Sequence, residues 1–205
     1  MLGTMTVVPA SCGRRRRAVA PGFTLVEVMI SLVILAVLLA IAVPSMREFV
    51  ARKRVEGVAQ ELVTDLRYLQ AVQQQRGAAS RFPVRISFSS TDTMSCYVLY
   101  VWGTAGIDCN CARSDGPVCF DPTVDGASQE LKTVVLPKSS GVSFSSDPAL
   151  LTLDGFNGLP VGNRTIQATI RGTRGGEVRV STNATAKPSL CSVSGTESSI
   201  PRCPP

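Results

Sequence analysis

The sequence predicts an α+β fold, in which a long hydrophobic N-terminal helix with a kink near Pro44 packs on a C-terminal antiparallel β domain. Three observations support this class. Positions 23–43 form an apolar run, positions 46–75 repeat apolar residues every three or four positions, and apolar and polar residues alternate in short segments from Val84 onward. These patterns are typical of an apolar helix, an amphipathic helix and β-strands, respectively.

The apolar run from Phe23 to Val43 contains 21 residues, of which only Thr24, Glu27 and Ser31 are polar. About 20 apolar residues cross the hydrocarbon core of a bilayer. Four consecutive arginines at positions 14–17 precede the run, and basic residues beside a span stay in the cytoplasm. The sequence therefore predicts a single-pass membrane protein whose later residues face outward.

Glu27 places a carboxylate inside this run. A bare carboxylate in hydrocarbon costs roughly 3 kcal/mol or more, so an acid at such a position is a candidate functional residue. The alternative interpretation is an ordinary single-pass anchor with an accidental acid.

Pro44 follows the run and lacks an amide hydrogen, so it is expected to kink the helix or melt it locally. Beyond it, the apolar spacing predicts an amphipathic helix from about Met46 to Gln75, with Gly77 as its stop. Most charged residues of this helix fall off the apolar stripe, on faces open to solvent or to a neighbouring subunit: Arg52, Lys53, Glu56, Glu61, Asp65 and Arg67.

After this helix the apolar residues change to a period of two, which is typical of β-strands. Positions 103–128 are polar and rich in Asp, Gly and Cys, and they predict a long surface loop. The predicted strands are separated by Gly and Pro and cover positions 84–88, 96–102, 131–136, 142–144, 150–153, 165–170 and 178–180.

The N-terminal residues resemble those of a type IV prepilin. A basic leader ends in Gly22, Phe23 follows, and Glu27 lies five residues after the glycine in an apolar helix that a proline breaks. The resemblance implies that residues 1–22 are a leader removed by a membrane aspartyl peptidase, and that the new N-terminal Phe23 is methylated. The mature chain would then have 183 residues. A secretory signal peptide is a weaker interpretation, because the apolar run is too long.

Cysteine usage fits an exported domain. Removal of the leader discards Cys12, whose use as a lipid anchor is a weaker interpretation because arginines follow it almost at once. The remaining six cysteines favour up to three disulfides in an oxidising compartment. A zinc site is the rival interpretation, but the chain has no histidine and Cys109-Asn110-Cys111 lacks the usual two-residue gap. Cys191 and Cys203 enclose a loop of Ser, Gly and Pro and are expected to pair. The disulfide candidates are Cys96, Cys109, Cys111, Cys119, Cys191 and Cys203.

Features beyond the apolar run are similar to the GspH/FimT group of minor pilins and pseudopilins. They are a spine helix ending near positions 66–71, a strand at positions 84–88, Leu151-Thr152-Leu153 leading to Gly158, and two final strands separated by glycine. The similarity implies a long N-terminal helix capped by a compact antiparallel β domain.

The resemblance also implies a division of the chain. Residues 23–43 would be the transmembrane and filament-core helix, and residues 44–77 its amphipathic continuation. Residues 78–205 would form an extracytoplasmic β-rich domain. Within that domain, disulfides would hold loop 103–128, and residues 191–203 would form a C-terminal loop.

Membership of this group implies a non-enzymatic structural subunit near the tip of a type II secretion pseudopilus or a type IV pilus, involved in assembly and protein secretion. Both machines use the same N-terminal chemistry, so both remain open. The implied partners are the prepilin peptidase, other minor pilins or pseudopilins, the major pilin or pseudopilin, and the inner-membrane assembly platform. The implied location is the bacterial inner membrane, with the C-terminal domain in the periplasm before incorporation into the filament. In the family, the acid equivalent to Glu27 is thought to pair with the N-terminal amine of an adjoining subunit.

The alternative function is DNA binding during uptake by a type IV pilus. DNA-uptake members carry Gly-Arg-x-Arg in the last strand region, whereas the stretch here is Gly176-Glu177-Val178-Arg179. Arg171 and Arg174 lie nearby and would have to compensate for the missing arginine, since phosphate contacts need charge. The whole chain carries +6, but without the four leader arginines 17 Lys and Arg against 15 Asp and Glu leave +2. The basic composition therefore reflects membrane topology more than a nucleic-acid surface.

Neither enzymatic chemistry nor a cofactor is predicted. The chain has no histidine to act as a general base near neutral pH, and no Gly-x-Ser-x-Gly, phosphate-binding glycine loop or HExxH pattern. Acids of the predicted loop offer oxygen atoms of the kind that Ca²⁺ binds, but their spacing matches no calcium loop, so loop polarity is the better interpretation. These acids are Asp108, Asp115, Asp121 and Asp125.

Overall fold

The computed structural model describes residues 22–76, 82–114, 116–119, 125–194 and 199–204. In these ranges, one long α-helix, α1 (Leu25–Arg76), precedes a series of β-strands, which confirms the α+β class. Short 3₁₀ turns lie at Lys138–Ser140 and Val161–Asn163. The strands are β1 (Val84–Ser90), β2 (Met94–Val101), β3 (Gln129–Pro137), β4 (Val142–Asp147), β5 (Leu150–Leu153), β6 (Gln167–Gly172), β7 (Glu177–Thr182) and β8 (Pro188–Ser192).

The chain divides into two compact units, Met1–Ala42 and Val43–Pro205. In the first unit, the described side chains are all exposed, as expected for an apolar helix that lipid or other subunits would cover. Helix α1 is assigned without interruption through position 44, so it does not melt there. The kink at Pro44 stays a prediction, and the stop expected at Gly77 lies outside the described residues.

The strands form two four-stranded antiparallel sheets. The first has the order β3-β2-β1-β5, and the second has the order β4-β6-β7-β8. The sequence pattern missed β8, because the segment Pro188–Ser192 contains only one large apolar residue, Leu190. Proline is tolerated on an edge strand or at the first residue of a strand, and Pro188 satisfies both conditions.

One apolar core joins α1 to the inner faces of both sheets. An aromatic cluster bridges the sheets, with ring centroids of Phe88 and Tyr97 5.7 Å apart and those of Tyr97 and Phe144 5.5 Å apart. Aromatic pairs at such distances add to the stabilisation from burial. The helix contributes buried residues at the predicted spacing of three and four: Val55, Ala59, Leu62, Leu66 and Leu69.

Strand β2 is buried on both faces, which the sequence pattern did not predict. Its inner residues pack in the main core, whereas Cys96, Val98 and Tyr100 form a second, smaller cluster with Cys109, Cys111 and Cys119. Within the described residues of the predicted surface loop, Cys109, Cys111 and Cys119 therefore pack on the first sheet and contribute a small core of their own.

Candidate functional site

A threonine caps the helix immediately after the expected cleavage site. Helix α1 begins at Leu25, and the backbone N–H of Glu27 donates to Oγ1 of Thr24 at 3.2 Å. The Thr-x-x-Glu spacing is that of a capping box, a signal that the sequence already carries. Glu27 is the third helical residue, where a negative charge compensates the helix dipole.

Gly22 and Phe23 precede this cap. A Cβ built at Gly22 would meet nothing within 4 Å, and its φ is not in the left-handed region. Within the described residues, neither packing nor backbone conformation requires glycine here. A requirement for glycine would have to come from a partner that contacts this position. Phe23 is 83% exposed and accessible to such a partner.

The polar side chains of the apolar run differ in whether the helix itself provides their hydrogen-bond partners. The Thr24 hydroxyl accepts the capping bond, and the Ser31 hydroxyl donates to the backbone carbonyl of Glu27 at 2.8 Å. The exposed Glu27 carboxylate has no hydrogen-bond or ion partner among the described residues. In hydrocarbon, a carboxylate is costly unless it is paired, so Glu27 would there need a partner from outside this helix.

The three disulfides involve all six candidate cysteines. Cys96 of β2 pairs with Cys111, and Cys109 pairs with Cys119. Cys191 pairs with Cys203 across the C-terminal loop. These bonds consume the thiolates that a zinc site would need.

Asp108 anchors the disulfide-bonded loop to the first sheet. Its carboxylate forms an ion pair with Arg85 of β1 and accepts a 2.8 Å hydrogen bond from the Tyr100 hydroxyl. The Arg85 guanidinium also lies 3.8 Å from the centroid of the Trp102 ring. Burial raises the pKa of Tyr100, and the hydrogen bond to Asp108 adds to this effect.

Of the four acids of the predicted loop, Asp108 and Asp125 lie within the described residues, and Asp125 is exposed. Asp108 is engaged by Tyr100 and Arg85, while Asp115 and Asp121 lie outside the described residues. No group of three or more metal-ligating side chains is found in the parts of the chain that the structure describes.

The arginines considered for DNA contact do not form one free cationic surface. Arg171 of β6 lies opposite Glu177 of β7, and their side chains form an ion pair at 3.2 Å. Arg179 is half-buried, and its Nε has no hydrogen-bond partner. Arg174 lies in the turn between β6 and β7 and is exposed.

Asp65 corrects the expectation that the helix charges face solvent or a neighbour. It is only 4% exposed, and it accepts hydrogen bonds from the Tyr97 hydroxyl at 2.7 Å and from Lys132 Nζ at 2.8 Å. Burial raises the pKa of Tyr97, and the Asp65 hydrogen bond raises it further. Burial alone would lower the pKa of Lys132, but its hydrogen bonds to Asp65 and Glu61 outweigh this and raise it.

The fold and the N-terminal geometry define a protein with an apolar anchor helix and a disulfide-bonded β domain. Within the described residues, α1 is the one helix long and apolar enough to cross a membrane, consistent with a single-pass anchor.

A family model, the prokaryotic N-terminal methylation motif, matches residues 20–43. The motif supports a type IV pilin-like protein and implies processing by a prepilin peptidase and assembly with other pilins. Proteins of this kind are in general structural and not enzymatic. No curated protein and no solved structure shows significant similarity to the chain.

Proposed function

We propose that this chain is a minor pilin or pseudopilin of the GspH/FimT group, a structural subunit at the tip of a type II secretion pseudopilus or a type IV pilus. The observation that carries the proposal is the Glu27 carboxylate. It lies in the first turn of the apolar helix and has no partner among the described residues, whereas Thr24 and Ser31 are satisfied within the helix. Assembly with another subunit supplies the missing partner.

Processing prepares the N-terminus for this contact. Cleavage between Gly22 and Phe23 would create a positively charged amine close to the start of α1. Because Thr24 already caps the helix, the new terminus needs no rearrangement of the first turn. Among the described residues, the exposed Phe23 and the unconstrained Gly22 do not obstruct the scissile bond.

Transfer from the bilayer to the filament then exchanges one apolar environment for another. The side chains of residues 23–43 provide the packing surface, which is not specific in register because it is apolar on all sides apart from Thr24, Glu27 and Ser31. Pairing of Glu27 with the N-terminal amine of a neighbouring subunit neutralises both charges in the filament core. This pair sets the axial register, because an offset subunit would leave two charges unpaired.

The second compact unit, Val43–Pro205, supplies the disulfide-bonded β domain of the subunit. Its core joins the helix stripe to both sheets, and its disulfides suit an oxidising periplasm. The assembly role is preferred to DNA uptake because Glu177 pairs with Arg171 where DNA-uptake members have a further arginine.

Replacement of Glu27 by Gln in the host bacterium tests the proposal. The variant should insert in the membrane and start at Phe23 after processing, but its co-purification with other pilin-like subunits should fall at least tenfold. The matched control is Glu48→Gln, which removes an exposed acid from the same helix outside the apolar run. Normal co-purification of the Glu27 variant would refute the assembly role of the carboxylate.

A further inference from the structure

A cleft of about 310 Å³ lies between α1 and two turns of the β domain. Arg47 and Arg54 line it from the helix, and Arg174 lines it from the turn between β6 and β7. Arg54 donates to the carbonyl of Ser140 at 2.7 Å. Arg47 and Arg174 have no hydrogen-bond or ion partner among the described residues, and no carboxylate belongs to the described lining. The cleft therefore has a surplus of cationic charge.

The remaining helix side chains of the cleft are mostly apolar. Val43 lines the cleft together with Met46 and Val50, and Val43 is also the last residue of the apolar run. The two exposed neighbours, Met46 at 62% and Val50 at 44%, leave an apolar strip beside the arginines. An occupant that combines a negative charge with an apolar portion would complement both parts.

The position of the cleft along the helix corresponds to the surface of a bilayer. With a rise of 1.5 Å per residue, Arg47 lies about 6 Å and Arg54 about 17 Å beyond Val43. The polar layer of a bilayer extends roughly 5–8 Å beyond each side of the hydrocarbon core. If residues 23–43 fill the hydrocarbon core, Arg47 in particular lies at the depth of the lipid phosphates.

We propose that this cleft binds the headgroup of an anionic phospholipid in the outward-facing leaflet. The guanidinium groups of Arg47 and Arg174 contact the phosphate, which arginine can bind through two parallel hydrogen bonds. Met46 and Val50 contact the glycerol and the beginning of the acyl chains. The lipid holds the β domain against the membrane surface until the subunit leaves for the filament. This inference rests on the membrane anchor of the proposed function.

Native mass spectrometry of the full-length protein in mild detergent tests the inference. Dioleoyl-phosphatidylglycerol and dioleoyl-phosphatidylcholine share their acyl chains and phosphate but differ in net charge. The anionic lipid should bind at least tenfold more tightly, and an excess of glycerol phosphate should not displace it. Substitution of both Arg47→Gln and Arg174→Gln should weaken binding about thirtyfold, since each basic residue near an anionic surface contributes about fivefold.

Two variants separate this contact from general effects on charge or folding. Arg67→Gln removes an exposed arginine from the same helix outside the cleft and should leave lipid binding unchanged. The double substitution by Lys should keep the preference for the anionic lipid, because it keeps the charge, but should bind more weakly than wild type, because lysine cannot form the two parallel hydrogen bonds. Equal binding of the two lipids, or unchanged binding in the double Gln variant, would overturn the inference.

Alkaline extraction of membranes distinguishes failure of the inference from failure of the anchor. A protein that resists extraction but shows no preference for the anionic lipid would overturn the lipid site alone. A protein that is released by alkali would overturn the membrane anchor as well.

Discussion

The hydroxyl of Tyr97, on the central strand β2, donates a 2.7 Å hydrogen bond to Oδ2 of Asp65 on the spine helix. Lys132 of β3 donates to both oxygens of the same carboxylate at 2.8 Å. A buried carboxylate is tolerated only when its oxygens are satisfied, and these two donors come from neighbouring strands of one sheet. Asp65 therefore fixes the rotation of the helix against the β domain in a way that apolar contacts alone would not.

Replacement of Asp65 by Ala should lower the free energy of unfolding by about 2 to 3 kcal/mol, because it removes charge-assisted hydrogen bonds and leaves the buried Tyr97 hydroxyl without an acceptor. Urea unfolding of a fragment that begins at Met46 measures this change. Glu61→Ala is the matched control, since the Glu61 side chain is 45% exposed and its ion pair with Lys132 should contribute less than about 1 kcal/mol. Equal losses in the two variants would show that Asp65 has no special role.

The same contact predicts a loss of stability in alkali. Tyr97 holds its proton more tightly in the folded chain than in the unfolded chain, where its pKa is near 10.0. Its contribution is therefore fully present below pH 10 and is lost as the pH rises further, at up to about 1.4 kcal/mol per pH unit. Lys132 changes stability in the same direction as the pH rises, because its pKa is also raised in the folded chain. Urea midpoints between pH 8 and 11 should fall less steeply in Tyr97→Phe.

The exposed Tyr68 provides the control for this pH dependence. In Tyr68→Phe, the urea midpoint should decline with rising pH as it does in the wild type. Tyr97→Phe should reduce the decline without abolishing it, since burial also raises the pKa of Tyr100. A Tyr97→Phe profile that superimposes on the wild-type profile would contradict the assignment.

Processing should depend on the glycine before the expected cut. Gly22→Val should accumulate the full-length precursor, because the fold leaves this position unconstrained and only the peptidase would require glycine. Gly57→Val is the control, since a Cβ at Gly57 also meets nothing within 4 Å. Mass spectrometry of the N-terminus reads the result. A wild-type protein that keeps its leader, or starts elsewhere than at Phe23, would refute the prepilin interpretation.

DNA binding should be weak at physiological salt. Glu177 neutralises Arg171, and a fragment that begins near Arg47 lacks the leader arginines. Glu177→Arg should strengthen DNA binding, because it frees Arg171 and adds a further cation. It should also steepen the slope of log affinity against log salt concentration by up to about two, roughly one for each added phosphate contact. Fluorescence anisotropy with a short duplex across a salt series measures both effects. Tight, salt-sensitive binding of the wild-type fragment, lost in Arg179→Ala, would favour the DNA-uptake function.

The sequence by itself determined the features that depend on local periodicity. The apolar run, the helix stripe from Val55 to Leu69 and most strands follow from spacings of three to four or of two, which the backbone geometry imposes on any buried face. The Thr-x-x-Glu cap is also a local feature, because it involves only four consecutive residues. Among the strands in the described residues, β8, with little apolar sequence, was the one without such a signal.

Tertiary structure decided the features that join distant positions. Asp65 looks like any charged helix residue until Tyr97 and Lys132 are brought to it across 32 and 67 positions. The pairing of Cys96 with Cys111, and the burial of β2 on both faces, likewise depend on how the loop lies over the sheet. Burial and pairing are properties of three-dimensional neighbours, and a periodic pattern specifies which face is apolar but not which residues will cover it.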